Sequence, residues 1–342
     1  MLTKVIPEDK VVATYKAIQR AKRIVIVAHK RPDGDAIGSC LGLYHFLYSF
    51  ERETFVILPD AIPANMSILP SSSEILNYEK ETEKCQAILA ETDLIFCLDF
   101  NNLSRIGALS EPIANSKAEK IMVDHHLDYE PFADVIISHP EIASTSELIF
   151  RLICRMGYFA DMTLQTAECI CAGMLTDTGG LAYNSNSPEI YTIFAELLRK
   201  GVDKDALYRH LFNTYKESRM RLMGYVLSQK MEILPAYKTA IFTLSEAELN
   251  NFHYEKGDTE GFVNLPLSIN GVIFSIFARE DKTGVKLSLR SVGNFPANLF
   301  ASQLFGGGGH LNASGAESNL PLNEVVDKIK AALPAFYEAN KE

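Results

Sequence analysis

The segment HKRPDGDAIGS (29–39) places His29, Asp33 and Asp35 within seven residues, directly after the apolar run RIVIVA (23–28). Alone, such a pattern is more often a polar turn than a site. Three further elements accompany it. Asp99 lies near the end of DLIFCLDF (93–100), Asp124, His125 and His126 close KIMVDHH (120–126), and Asp177 lies in LTDTGG (175–180). Each could by itself be a strand-end cap, a polar pair or turn chemistry. Their recurrence beyond strand or helix ends is what points to one shared site. Converging in a cleft, Asp33, Asp35, Asp99 and Asp177 would repel one another and drive their pKa values up. Two divalent ions resolve that conflict. Carboxylates with imidazoles suit a borderline ion such as Mn²⁺, and the lack of Cys ligands argues against structural zinc. Two metals about 3.5–4 Å apart are the usual device for hydrolysing phosphoesters, because they bind both the nucleophile and the substrate's oxygens.

A second cluster lies in FASQLFGGGGHLNASGA (300–316). Gly306, Gly307, Gly308 and Gly309 each lose backbone entropy on ordering. Packing gives no reason for four in a row, so a loop whose N–H groups cradle an anion is expected. A tight connector after the helical ANLFASQLF (297–305) is the alternative reading. His310 directly after the glycines, and Ser314 soon after, favour a phosphate or nucleotide site. Arg290 in KLSLRS (286–291) is the candidate for a charge-assisted phosphate contact, against the reading of an ordinary surface arginine.

These residues need elements to hold them. RIVIVA, DLIFCLDF and KIMVDHH are expected as buried strands. AIGSCLGLYHFLYSF (36–50) and STSELIFRLICRMG (144–157) carry apolar residues at helical spacing, with Ser or Thr available as caps. Such alternation argues for a parallel sheet, in which ligands bind beyond the carboxyl ends of the strands. His29, Asp99 and Asp124 to His126 all fall there. Gly34, between two aspartates, is expected to let the backbone turn so that neighbouring carboxylates face different ions. TLQTAECICAGMLTDTGG (163–180) reads as a buried helix running into Asp177, and a mostly helical stretch follows NSNSP (184–188). From about Lys238, KTAIFTL, GVIFSIFARE and GVKLSLRS predict a second sheet, closed by a helix in LNEVVDKIKAALPAFYEA (322–339).

Composition narrows the partners. A chain of 342 residues fits two domains, each able to bury a core. No run approaches the roughly 18 apolar residues of a membrane span. The N-terminus lacks a signal-peptide apolar region, so a cytoplasmic protein is expected. Six cysteines without CxxC, most of them in apolar runs, read as buried free thiols of a reducing compartment. The net charge of −10 argues against gripping long duplex nucleic acid. Small phosphorylated substrates remain compatible with it, provided cations are concentrated locally.

In order and spacing, HKRPDGDAIGS, LDF, VDHH and TDTGG resemble the four motifs of the DHH phosphoesterase superfamily. GGGGHLNASG resembles the signature of the DHH-associated domain. The likeness covers nearly the whole chain and is of the bacterial nano-RNase and pAp-phosphatase type. It implies an α/β protein of two domains: a parallel-sheet DHH domain at 1–185, a helical linker at 186–232 and a smaller α/β DHH-associated domain at 233–342, with the active site in the cleft between domains. By the same likeness, His29 and Asp33 would bind one metal, Asp35, His125 and Asp177 the other, and Asp99 would bridge both. Asp124 resembles a carboxylate that orients a histidine. His126 resembles the histidine that faces the substrate phosphate and stabilises or protonates the leaving oxygen. Arg290, Gly307, Gly308, Gly309, His310 and Ser314 would grip the other end of the substrate. The family often has a small hydroxyl residue shortly after the Asp99 position. Here Phe100, Asn101 and Asn102 intervene before Ser104 and Arg105, and Arg105 is expected to hold the metal loop or a phosphate.

The implied reaction uses two Mn²⁺, with Mg²⁺ or Co²⁺ as substitutes. It degrades short single-stranded oligoribonucleotides, dinucleotides to pentanucleotides, to mononucleotides and dephosphorylates pAp to AMP. The alternatives are a linear or cyclic dinucleotide phosphodiesterase and, from a different class, a non-catalytic nucleotide-binding regulator. The complete ligand set argues against the regulator. Neither a membrane nor a long duplex is an expected partner, and a homodimer is left open.

Overall fold

Strands that are apolar at nearly every position need cover on both faces of their sheet. The computed structural model, which describes residues 3–255, 257–282 and 284–341, shows that cover. Two compact units, Met1–Thr214 and Tyr215–Glu342, make up the chain.

The first unit holds strands β1 (Arg23–Val27), β2 (Glu53–Leu58), β3 (Leu76–Asn77), β4 (Leu94–Leu98), β5 (Glu119–Asp124) and β6 (Val135–Ser138). They form one parallel sheet in the order β3-β2-β1-β4-β5-β6. Its helices are α1 (Glu8–Arg20), α2 (Gly34–Tyr48), α3 (Thr82–Ala90), α4 (Ser110–Asn115), α5 (Thr145–Arg155), α6 (Leu164–Asp177), α7 (Pro188–Arg199) and α8 (Lys204–Phe212). Ile24 and Ile26 of β1 join a core built with α1, α2 and α5 to α8. Val25 and Val27 join a second core on the opposite face, with α3 and α4.

The second unit contains α9 (Glu217–Tyr225), β7 (Glu232–Leu234), β8 (Thr239–Leu244), α10 (Glu246–Asn251), β9 (Phe274–Asp281), β10 (Gly284–Ser291), α11 (Ala297–Phe305), β11 (Gly308–His310), β12 (Ala313–Ser318) and α12 (Leu322–Asn340). Its sheet runs β11-β12-β10-β9-β8-β7 and is antiparallel except for the β8–β9 pair. Ile241 and Ile276 face a core shared with α11 and α12, while Phe242 and Phe277 face α9 and α10. The helical stretch 186–232 is divided rather than set apart: α7 and α8 pack on α6 in the first unit, and α9 belongs to the second. All six cysteines are free thiols, five of them buried and Cys154 half-buried. No helix among the described residues is long and apolar enough to cross a membrane.

One helix pair is closer than ordinary side chains permit. Gly34, Gly38 and Gly42 recur every four residues along α2, on the side that meets α6. A Cβ at Gly38 would lie 2.6 Å from the Cys169 carbonyl oxygen and 2.7 Å from the Gly173 nitrogen. At Gly34 it would lie 2.3 Å from the Thr176 side chain. Gly34 is the first residue of α2 and its φ is not left-handed. The expectation that it turns the backbone between two carboxylates is therefore corrected: close helix contact, not a turn, excludes a side chain there. Gly38→Ala should force the helices apart and destabilise the protein by about 1–3 kcal/mol. An unchanged midpoint in denaturant unfolding would show that the backbones can separate freely.

Candidate metal centre

In an open parallel sheet the crevice forms where strand order reverses, and here that point lies between β1 and β4. His29 lies two residues beyond β1 and Asp99 immediately follows β4. Asp99 has φ 62°, a left-handed conformation that Asp tolerates better than most residues. Its N–H donates to the Val123 carbonyl at 3.1 Å, and the residue is only 2% exposed. Asp33 caps α2, its Oδ1 accepting from the N–H groups of Asp35 (3.1 Å) and Ala36 (3.0 Å). Asp35 follows in the first turn, fully buried. Asp177 is the last residue of α6, so the α2–α6 contact brings these aspartates together.

Two groups of residues that could hold a metal ion result. His29 Nε2 lies 3.3 Å from Asp99 Oδ2 and 3.8 Å from Asp33 Oδ1. His125 Nε2 lies 3.2 Å from Asp177 Oδ2, 3.6 Å from Asp99 Oδ1 and 4.0 Å from Asp35 Oδ2. Within His29–Asp33–Asp99, and within Asp35–His125–Asp177, the donor atoms lie within 4.8 Å of one another. Asp99 turns one oxygen to each group. A third combination, Asp99 with His125 and His126, meets the same limit. Both imidazoles have their Nδ1 on a backbone carbonyl: Lys30 for His29 (2.9 Å) and Ile142 for His125 (3.2 Å). With Nδ1–H donating there, the inward Nε2 is the atom left to take a proton or a cation. Oxygen and imidazole donors around buried acids fit divalent cations.

His126 is held differently. Asp124, fully buried at the end of β5, binds its Nδ1 at 2.8 Å and accepts its backbone N–H at 3.0 Å. The half-buried ring therefore keeps Nε2 for another partner. Arg105 lends its carbonyl, which accepts the Lys30 N–H at 2.8 Å and ties its segment to the loop after β1. Sequence reasoning missed the start of α5. Ser144 is the expected cap, accepting the Glu147 N–H at 3.1 Å. The next two residues, however, reach the site: the N–H groups of Thr145 and Ser146 donate to Asp35, and the Thr145 hydroxyl donates to Asp99. The hydroxyl run was the available signal, but it reads equally as capping.

In the second unit the glycines have mostly local reasons. Gly306 ends α11 at φ 65°. A Cβ at Gly307 would sit 2.2 Å from the Gly315 carbonyl oxygen, and one at Gly309 (φ 142°) 2.4 Å from that of Ala313. Backbone packing of the β11–β12 hairpin thus requires glycines the sequence reading had reserved for an anion. Gly308 alone of the four is exposed with no such contact and no left-handed φ. His310 is exposed and pairs with Ala313 across the hairpin. Ser314 is buried, and its hydroxyl has no hydrogen-bond partner among the described residues. Half-buried Arg290 donates to the carbonyls of Leu289 (2.8 Å) and Ser314 (3.4 Å). Burial lowers its pKa, and among the described residues no carboxylate pairs with it.

Charge in this cluster is balanced by protons. Burial opposes charge on His29, but hydrogen bonds to Asp33 and Asp99 outweigh it and push the imidazole up to about 10. Burial is likewise outweighed at His125, raised to about 10 by its bond to Asp177 and the charges of Asp35 and Asp99. Burial and the charge of Asp99 raise Asp177 to about 6 despite the His125 bond. Burial, then Asp177 and Asp99, raise Asp35 well above the usual carboxylate range. Each raised group holds its proton more tightly folded than unfolded, so its contribution to metal-free stability falls as pH rises. For Asp177 the fall runs from about pH 4 to 6, and for the histidines from about 6.5 to 10. A cation held by these groups would have to displace these protons. Divalent-ion binding at pH 7.5 should therefore release protons, read as a calorimetric heat that varies with buffer ionisation enthalpy. A heat independent of buffer would contradict the assignment of His29 and His125.

Comparison with known proteins identifies the family. The DHH family, N-terminal domain, matches residues 23–174, and the DHHA1 domain matches residues 239–339. The bifunctional oligoribonuclease and PAP phosphatase NrnA of Thermus thermophilus is 32% identical over 315 residues, 91% of this chain and 89% of that protein. The cyclic-di-AMP phosphodiesterase GdpP of Bacillus subtilis is 24% identical over 95% of this chain, which spans 50% of GdpP. The crystal structure of an exopolyphosphatase-related protein from Bacteroides fragilis matches with a TM-score of 0.97 and 53% identity, covering 100% of both chains. With both domains matched in order and a relative of this identity aligned along nearly its whole length, the chain belongs to the DHH family.

Proposed function

We propose that this protein is a two-metal phosphohydrolase that degrades short oligoribonucleotides to mononucleotides and converts pAp to AMP, with Mn²⁺ at both positions. The observation that carries the reading is Asp99, whose two oxygens face two separate His–Asp groups. Divalent ions held there would activate water at neutral pH and polarise the phosphoryl oxygens. His29 and Asp33 would hold one ion and Asp35, His125 and Asp177 the other, with Asp99 offering an oxygen to each. His126, its Nδ1 fixed on Asp124, directs Nε2 to the leaving oxygen and supplies a proton there. In the second unit, Arg290, Gly307, Gly308, Gly309, His310 and Ser314 receive an anionic part of the substrate. Arg290 is the charge-assisted donor, since no carboxylate among the described residues pairs with it. Arg105 holds the metal loop through its carbonyl. NrnA supports the choice of substrates by its name and by identity along nearly its whole length. Cyclic-dinucleotide hydrolysis is the second reading, favoured by the likeness to GdpP over 95% of this chain.

The deciding experiment compares kcat/KM for pAp, linear oligoribonucleotides of increasing length and cyclic di-AMP, with and without Mn²⁺. Rates should fall with length and depend on the metal, and preference for the cyclic substrate would move the assignment to the second reading. Asp99→Asn should lose more than the roughly 10–100-fold that removal of a ligand's outer partner produces. Normal Mn²⁺-dependent turnover by that variant would refute a shared ligand. Arg290→Ala should raise KM with little change in kcat; an unchanged KM would remove Arg290 from the substrate site.

A further inference from the structure

Helix α5 starts against the metal centre, and its first two residues touch two carboxylates at once. The Thr145 N–H donates to Asp35 Oδ2 at 2.6 Å, and the Ser146 N–H donates to Asp35 Oδ1 at 2.9 Å. The Thr145 hydroxyl donates to Asp99 Oδ1 at 3.1 Å. Thr145, Ser146 and Asp35 are 0% exposed and Asp99 is 2% exposed. Gly173 of α6 makes the space, since a Cβ there would meet Ser146 Oγ at 1.9 Å and Asp35 Oδ1 at 2.9 Å.

We propose that Thr145 is a positioning residue of the metal centre, its N–H orienting the Asp35 carboxylate and its hydroxyl orienting that of Asp99. This rests on the two-metal reading given above. The terminal torsion of an aspartate is soft and broadly populated. An ionised carboxylate offers about four lone-pair directions. Asp35 uses one on each oxygen for α5, which fixes its plane and leaves the other directions for a cation. Asp99 has the stricter task, because turning its carboxylate to suit one ion spoils it for the other. The Thr145 hydroxyl holds Oδ1, the oxygen that faces His125. Ser144 has a separate role, since its side chain accepts the Glu147 N–H and caps the helix.

That separation makes the inference testable. Thr145→Val removes the hydroxyl at nearly constant shape, and Thr145→Ser keeps it. Thr145→Pro also removes the N–H at the first helical position, where proline fits, after a Ser144 already extended at φ −161° and ψ 155°. Ser144→Ala removes only the cap. Mn²⁺ affinity and stoichiometry are read by titration calorimetry, and the metal-free fold by circular dichroism and melting. The expected result is a loss of affinity of about 10–100-fold in Thr145→Val, recovery in Thr145→Ser and a greater loss in Thr145→Pro. Ser144→Ala should lower the melting temperature yet bind Mn²⁺ as the wild type does. Wild-type affinity in Thr145→Val, or an equal loss in Ser144→Ala, would overturn the positioning role while leaving the two-metal reading intact. A wild-type protein that takes up fewer than two Mn²⁺ would overturn both.

Discussion

The candidate metal centre depends on how closely two helix backbones approach. Asp33 and Asp35 belong to the start of α2 and Asp177 to the end of α6, so these carboxylates meet only where those ends lie side by side. Glycines at 34, 38 and 42 on α2, and at 173 on α6, remove the side chains that would hold the helices apart. A packed interior transmits such a displacement instead of absorbing it. The spacing of helix axes and the spacing of carboxylates are therefore one constraint. The same closeness leaves room for Ser146 beside Asp35 and so admits the start of α5.

Closeness has an electrostatic consequence. Carboxylates drawn from water into one pocket cannot all ionise without compensation. In the metal-free protein the compensation is protons on His29 and His125, both raised to about 10. The two histidines thus stand opposite the aspartates in the two groups that fit cations. Their Nδ1 atoms rest on backbone carbonyls, so exchanging a proton for an ion needs no ring flip. A proton and a cation would compete for the same lone pair.

The second unit is organised by a different economy of backbone. Its hairpin from Gly308 to Ser318 is so tight that two of the four consecutive glycines are demanded by carbonyl oxygens across the strands. Arg290 lies on the neighbouring strand, its guanidinium anchored on carbonyls rather than carboxylates. Such a cation keeps charge available for an anionic ligand. The anion binding proposed for this unit would thus rest on Arg290 and on the Ser314 hydroxyl, which has no hydrogen-bond partner among the described residues, more than on the glycine run.

Much of the site is legible in the sequence because its chemistry is concentrated in rare residue types at strand ends. RIVIVA, DLIFCLDF and KIMVDHH announce β1, β4 and β5 through continuous apolar runs, and His29, Asp99 and Asp124 to His126 follow directly. Strands β3 and β11 were not foreseen because runs of two and three residues carry no period. Strand β2 was missed because its first half is only partly buried. By itself the sequence determined which residues could ligate and which elements carry them. The tertiary structure alone decided which oxygen of Asp99 faces which group, that α2 glycines serve contact rather than turning, and that Thr145 touches both Asp35 and Asp99. Those are distances between segments far apart along the chain, which packing sets and which residue type and spacing do not encode.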